Sequence, residues 1–381
     1  MLIYIDHSIG VVLSQRKATV AETVFFSSLA NMFCRGECYL CGSINSLDVL
    51  GDQLGALGNN VINTVKAHFA EAGSVINAVN TAIVLMYQEV FNENMLSETI
   101  GLCPNKHFVS VSTALSWSLH KKCCLIAENL EDCKFYELMA SYYCLSHGIQ
   151  GLRICLHHEN GGGNTTDKVL SKCVSQDKVL TLCIVDSDRK WGESKDYPNP
   201  PPKGETCRRV IAESTALLCR VELPIHSVSV LDVHEIENLI PRQVMRIIES
   251  KQSPEMKKGL DMLNALVTIN KGDAVLCYDY KNGLQYTNGD PQRAYWKKVL
   301  ISLGGTESDM PPIKKSEACK DEIGECFFPP ICCKALLQKA MAVIESIGVA
   351  QLQIDDYLVS QWERIGTLVF SWGCAGLPMY A

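Results

Sequence analysis

The chain lacks the surplus of positive charge that marks a protein coating nucleic acid through a broad basic face. It carries 35 Lys and Arg against 42 Asp and Glu, a formal net charge of −7 at pH 7, and this excludes non-specific binding of that kind. A nuclease is not excluded, because the acids of a metal site themselves add negative charge. No apolar run reaches the length of a membrane span: "VINAVNTAIVLMY" is short and broken by Asn77 and Asn80. The opening "MLIYIDHSIG" has no basic stretch, and Asp6 interrupts its apolar residues, so no signal peptide is expected. No P-loop pattern GxxxxGK[ST] occurs. There is no internal repeat, and no long low-complexity or like-charge tract suggests a disordered tail.

Cysteine, by contrast, is abundant, with 19 in 381 residues. The number is odd, and many sit in apolar runs, such as Cys123 and Cys124 in "CCLIA", Cys155 in "RICLHH" and Cys183 in "LTLCIV". They read as small buried hydrophobes with free thiols, which implies a reducing, cytoplasmic setting. Cys34, Cys38 and Cys41 in "CRGECYLC" could begin a zinc site, but no CxxC or HxxxH follows nearby to close it.

Three regions are expected. Residues 1–118 read as mostly helical after a first strand, "LIYID", because apolar residues recur at three and four along "VINTVKAHFAEAGSVINAVNTAIVLMYQEVF". Asp6 follows that strand and reads as a surface Asp after an edge strand, or as a nuclease ligand lacking convincing partners. Residues 119–245 alternate strands and helices. "CCLIAE", "GLRICLHH", "VLTLCIVDSD" and "IHSVSVLDV" are strands, and helices or long connections separate them. The alternation predicts an α/β domain with a parallel sheet covered on both faces. Residues 246–381 read as helical.

Acids mark the ends of those strands: Glu128, then Glu159 after His157 and His158, then Asp186 and Asp188, then Glu235 and Glu237. Ligands of open parallel sheets bind beyond the carboxyl ends of the strands. Carboxylates gathered there repel one another, and a hard divalent cation relieves the repulsion. An all-oxygen set suits Mg²⁺ or Mn²⁺. Asp186 and Asp188, two apart, are expected to face one ion while Ser187 points away. Glu235 and Glu237 should share a face opposite Ile236, with Asn238 holding the turn that aims Glu237. Glu237 is therefore the expected ligand and Glu235 a supporting or phosphate-side group.

These residues carry a resemblance. "CLIAENLEDCKFYELM" resembles the first motif of Toprim domains, with Asn129 where Gly is usual and Glu131 or Asp132 as the following acid. "LTLCIVDSD" is similar to the Toprim DxD strand end, and "VLDVHEIENLIP" to the acidic turn of Toprim-like antiphage effectors and OLD-type nucleases. "HHENGGGN" sits where those proteins often carry Gly residues. The resemblance covers about residues 120–245. It implies a Toprim-like (Rossmann-like) parallel sheet flanked by helical N- and C-terminal regions. It also implies a Mg²⁺- or Mn²⁺-dependent endonuclease acting on DNA or RNA. Glu128 would then be a general acid/base or ligand, and Asp186 and Asp188 would hold metal. Glu235 or Glu237 would complete the set, and Arg189, Lys190 and Lys203 would meet phosphate. A regulatory protein partner or homo-oligomerisation would restrain such an effector. Two other functions remain open: a catalytically degenerate Toprim binding module, and a primase- or topoisomerase-like strand-transfer protein.

Overall fold

The structure, a computed structural model, describes residues 1–379 except 94, 95, 97, 193–203, 221, 251–253, 285–289, 311–327, 329 and 332–334. The chain forms two compact units. The first comprises Met1–Ile184, Arg209–Ser229 and Glu363–Ala381, and the second Val185–Arg208 and Val230–Trp362. Ten strands are described: β1 (Leu2–Ile5), β2 (Tyr39–Gly42), β3 (Thr81–Met86), β4 (Asn105–Ser110), β5 (Cys124–Ala127), β6 (Leu152–Ile154), β7 (His157–Asn160), β8 (Thr181–Val185), β9 (His226–Val230) and β10 (Cys374–Gly376).

The first unit is α/β and contains two four-stranded sheets. One has the order β2-β1-β3-β4, all parallel, with Leu2 opposite both Tyr39 and Ala82. Every residue of β1, β2 and β3 is buried, as expected of parallel strands covered on both faces. Helices His7–Gln15 and Val20–Cys34 cross from β1 to β2, and Ile44–Gln53, Gly55–Ala67 and Phe69–Ala78 cross from β2 to β3. The N-terminal third, expected as mostly helical with one strand, therefore holds a complete sheet. Its strands hide in short, wholly apolar runs such as "TAIVLM", where periodicity does not separate a buried strand from a buried helix.

The second sheet has the order β7-β5-β8-β9, with β5 parallel to both β7 and β8. "GLRICLHH", expected as one strand, is two. β6 leaves the sheet to pair antiparallel with β10, Ile154 opposite Cys374, and β7 then joins β5. Close contact organises the helices around this sheet. A Cβ on Gly366 would lie 2.8 Å from Tyr143 Cβ and 2.9 Å from Met139 O, so helix Asp356–Gly373 meets helix Leu130–Ser146 where a side chain has no room.

Asp6 does not follow an edge strand. β1 is central, and Asp6 is 4% exposed, with its Oδ1 accepting from Ser8 N–H at 2.8 Å to cap helix His7–Gln15. Its carboxylate is committed to a helix N-terminus. Cys34, Cys38 and Cys41 are buried free thiols. Burial pushes the Cys38 thiol up to about 12 and the Cys41 thiol up as well, which keeps both protonated at neutral pH.

The second unit is mainly helical, including Arg242–Glu249, Pro254–Thr268, Gly272–Leu276, Asp290–Ser302 and Leu336–Ile347. Its core gathers Tyr278, Tyr280, Trp296 and Phe328, with ring centroids 5.3–6.4 Å apart. Such pairs favour a packed core beyond their area alone. Arg242 binds Asp355 at 2.7 Å, and Trp362 Nε1 donates to Leu239 O at 2.9 Å. No described helix in either unit is long and apolar enough to cross a membrane.

Candidate functional site

In the first unit, Glu128 leaves β5 exposed, beside the Gly-rich turn. Ala127 O accepts from Gly161 N–H at 2.7 Å, and Glu128 O from Gly162 N–H at 3.0 Å. Gly162 and Gly163 have φ of +67° and +58°, and a Cβ on Gly163 would lie 2.9 Å from Glu128 Oε1. The glycines thus supply both the left-handed backbone and the space for this carboxylate. Asn129, standing where Toprim motifs usually have Gly, has φ −133°, a conformation that needs no glycine. Asp132 is buried and accepts from Asn129 N–H at 2.9 Å as a helix cap, while Glu131 lies near Lys134 at 3.6 Å. Glu159 lies within edge strand β7 rather than beyond it, with Oε1 3.3 Å from His157 Nε2.

In the second unit, residues 185–188 and 231–234 run alongside each other. Leu231 N–H donates to Val185 O at 2.9 Å and Asp188 N–H to His234 O at 3.1 Å. The strand ends at Val185, so Asp186 and Asp188 do not alternate along an extended chain as expected. Ser187 is buried and donates to Val233 O at 2.5 Å. Asp188 takes the left-handed region at φ +51°. That region is uncommon for a side-chain-bearing residue but several-fold enriched for Asp. Asp186 adds to the field that raises the Lys281 ammonium. Burial opposes a charge on His234, but Asp279, Glu235 and, least of the three, Asp188 raise its pKa.

Glu235 keeps an extended backbone, with φ −140° and ψ 166°, but Glu237 departs from it. Ile236–Leu239 is a 3₁₀ turn, and Glu235 is its N-cap residue. Both carboxylates nevertheless reach one cation: Lys281 Nζ lies 3.0 Å from Glu235 Oε2 and 3.5 Å from Glu237 Oε1. Burial raises the Glu235 pKa, Lys281 opposes that shift and Glu237 adds to it. Burial alone would lower the Lys281 ammonium, but Glu237, Glu235 and Asp186 hold it well above its ordinary range. Glu237 Oε2 is buried and has no hydrogen-bond partner among the described residues.

Asn238 holds this turn differently from the sequence expectation. Its Oδ1 accepts from Glu235 N–H at 3.0 Å, and its Nδ2 donates to both Val275 O and Tyr278 O at 2.8 Å. The fully buried amide fixes Glu235 rather than Glu237, and it ties the acidic turn to the segment leading to Lys281. Asp279 completes the base of that segment, with Oδ1 accepting from Lys281 N–H at 3.0 Å and Asn282 N–H at 2.8 Å. Burial pushes the Asp279 carboxyl up, but hydrogen bonds from His234 and Asn282 outweigh it and hold the pKa at about 2. His234 and Asp279 also line a cleft of about 280 Å³ with Lys190, Asn282, Gln292 and Trp296.

The structure therefore brings Glu235 and Glu237 to Lys281, with Asp186 adding to the field there, and joins Asp188 N–H to His234 O. Arg189 is turned toward backbone, with Nη1 donating to Asp232 O at 3.3 Å, and Lys190 is exposed on the cleft. Lys203 lies outside the described residues. Sequence reasoning missed Lys281, His234 and Asp279. The Asn-Gly pair in "YDYKNGL" signals a turn, but nothing in the sequence ties that turn to Glu235.

A hard-oxygen set with one orphaned, buried carboxylate oxygen fits Mg²⁺ or Mn²⁺ by donor chemistry. It is not gathered for one: among the described residues, no three His, Cys, Asp or Glu side chains are grouped to hold a metal ion. The acids close on Lys281 instead. No protein-family model, curated protein or solved structure matches the chain, so its function has to be argued from the site's own chemistry.

Proposed function

We propose that the chain is a metal-dependent nuclease of Toprim type, with the acidic turn of the second unit as its cation site. One observation carries this reading. Glu235 and Glu237 meet a single ammonium, and Glu237 keeps a buried oxygen with no partner among the described residues. Such a turn carries more negative charge than one lysine neutralises, and an unpaired buried carboxylate oxygen is costly. Glu235 and Glu237 would hold Mg²⁺ or Mn²⁺ together with water, since such a hard cation commonly takes only one or two carboxylates, and Asp186 would add negative charge nearby. A bound divalent ion would supply Lewis-acid stabilisation of charge on phosphate oxygens. Lys190, exposed on the cleft, is placed to meet a phosphate as a charged donor. The Toprim assignment and a role as a restrained antiphage effector rest on the sequence motifs.

A second reading also has an observation in its favour. The acids already have a cation in Lys281, which suits a Toprim-like module that binds without cleaving.

The test is cleavage of plasmid DNA and of total transfer RNA by the purified chain with Mn²⁺, with Mg²⁺ and with EDTA. Cleavage that needs the metal and stops with chelator is expected. Nucleic acid bound but left intact under every condition would favour the binding module.

A further inference from the structure

Lys281 is unusual among the described lysines that pair with acids. Lys66 meets Asp48, Lys134 meets Glu131, Lys172 meets Asp177 and Lys297 meets Glu307, one acid each. Lys281 meets two carboxylates that are only 16% and 14% exposed, while its own side chain is 57% exposed. The acids are fixed and largely desolvated. The cation reaches them from solvent on a flexible four-carbon stem. Its backbone is held in place by the Asp279 turn and, through Tyr278 and Val275, by Asn238. An anchored backbone under a solvent-facing head describes a group that can give way without the turn unfolding.

We propose that Lys281 is the built-in counter-ion of the acidic turn and sets its affinity for divalent cations by competing for Glu235 and Glu237. This rests on the reading of the turn as a cation site. Without metal, the ammonium offsets the repulsion between the two glutamates, so the turn stays folded. A divalent ion must displace that ammonium and take up the same oxygens. The resting site is then closed by its own lysine, and metal occupancy depends on the free cation concentration. The displaced ammonium remains close by, where it would neutralise a phosphate.

The experiment measures Mn²⁺ binding to the full chain, by calorimetry and by loss of the free-ion electron paramagnetic resonance signal, without nucleic acid. Lys281→Met removes the charge and keeps most of the stem. It is expected to bind Mn²⁺ at least tenfold more tightly than the unaltered chain. Lys281→Arg, which keeps the charge, should stay near the unaltered value. Lys281→Met/Glu237→Gln should lose the gain. Equal or weaker binding by Lys281→Met, in a chain that does bind Mn²⁺, overturns the role of Lys281 while leaving the cation site standing. Absence of Mn²⁺ binding in every variant overturns both. If Lys281→Met fails to fold, Lys281→Gln replaces it, and a larger Mn²⁺-induced rise in melting temperature than the unaltered chain shows is the expected result.

Discussion

Two groups of acids, one in each unit, are held in opposite ways. In the first unit the buried acids Asp6, Glu22 and Asp132 are each satisfied by hydrogen bonds. Asp6 and Asp132 cap helices, and Glu22 accepts from Arg16 at 2.9 and 2.6 Å, from Thr19 N–H at 2.7 Å and from Tyr87 at 2.5 Å. The Arg16 hydrogen bonds hold the Glu22 carboxyl down at about 2. In the second, Glu235 is raised rather than lowered, and two glutamates share one half-exposed lysine. Acids that serve the fold are paired until their charge is favourable. Acids left short of partners are the ones whose placement a fold alone does not explain.

Replacement of the second group should therefore damage function and spare stability. Asp186→Ala and Glu237→Gln, assayed separately, are each expected to cut metal-dependent cleavage by about a hundredfold or more. Melting temperature should be unchanged or slightly higher, since repulsion is relieved. Glu128→Gln, in the other unit, is measured alongside, and full activity there would remove Glu128 from the reaction. A loss of stability equal to the loss of activity in the Asp186 or Glu237 variant would break the contrast between the units.

Glu22→Gln should do the reverse. Loss of the charged acceptor is expected to cost about 2 kcal/mol of unfolding free energy, read by urea titration, with activity per folded molecule retained. The pH dependence sharpens the point. The folded pKa of about 2 lies below the ordinary 4.5, so Glu22 contributes stability above pH 4.5, and that contribution is lost as pH falls toward 2. The Glu22→Gln chain should show a shallower fall in stability across that interval. Parallel curves for the two chains would mean that Glu22 is not tied down as described.

The smallest effect belongs to Asp6→Ala, which removes one helix cap and should cost about 1 kcal/mol. Thermal melts check it. Loss of metal binding in this variant would return Asp6 to the list of candidate ligands.

How much of this was legible depends on range. The alternation of strands and helices over 119–245, the Gly-rich turn and the acids after β8 and β9 follow from local pattern, and a parallel sheet follows with them, although "GLRICLHH" concealed two strands. Three things did not. β2 and β3 lie in apolar runs that a helix would bury equally well. The direction of Asp188 depends on a left-handed φ that the sequence does not announce. Lys281 reaches Glu235 and Glu237 from another loop, and one sequence carries no sign of such a pairing. Asn238 was legible as a turn former, but its actual targets are backbone atoms set by tertiary packing.

Gly204 N–H donates to Ser187 O at 3.0 Å, Ser187 donates to Val233 O, and Asp188 Oδ2 occupies the space a Gly204 side chain would need. Even an alanine at 204 would put its Cβ 3.1 Å from Asp188 Cβ and closer still to the carboxylate, which would have to swing away from where it stands. The position of one candidate functional charge is thus set by a residue with no side chain, and Gly204 acts as a mould for Asp188.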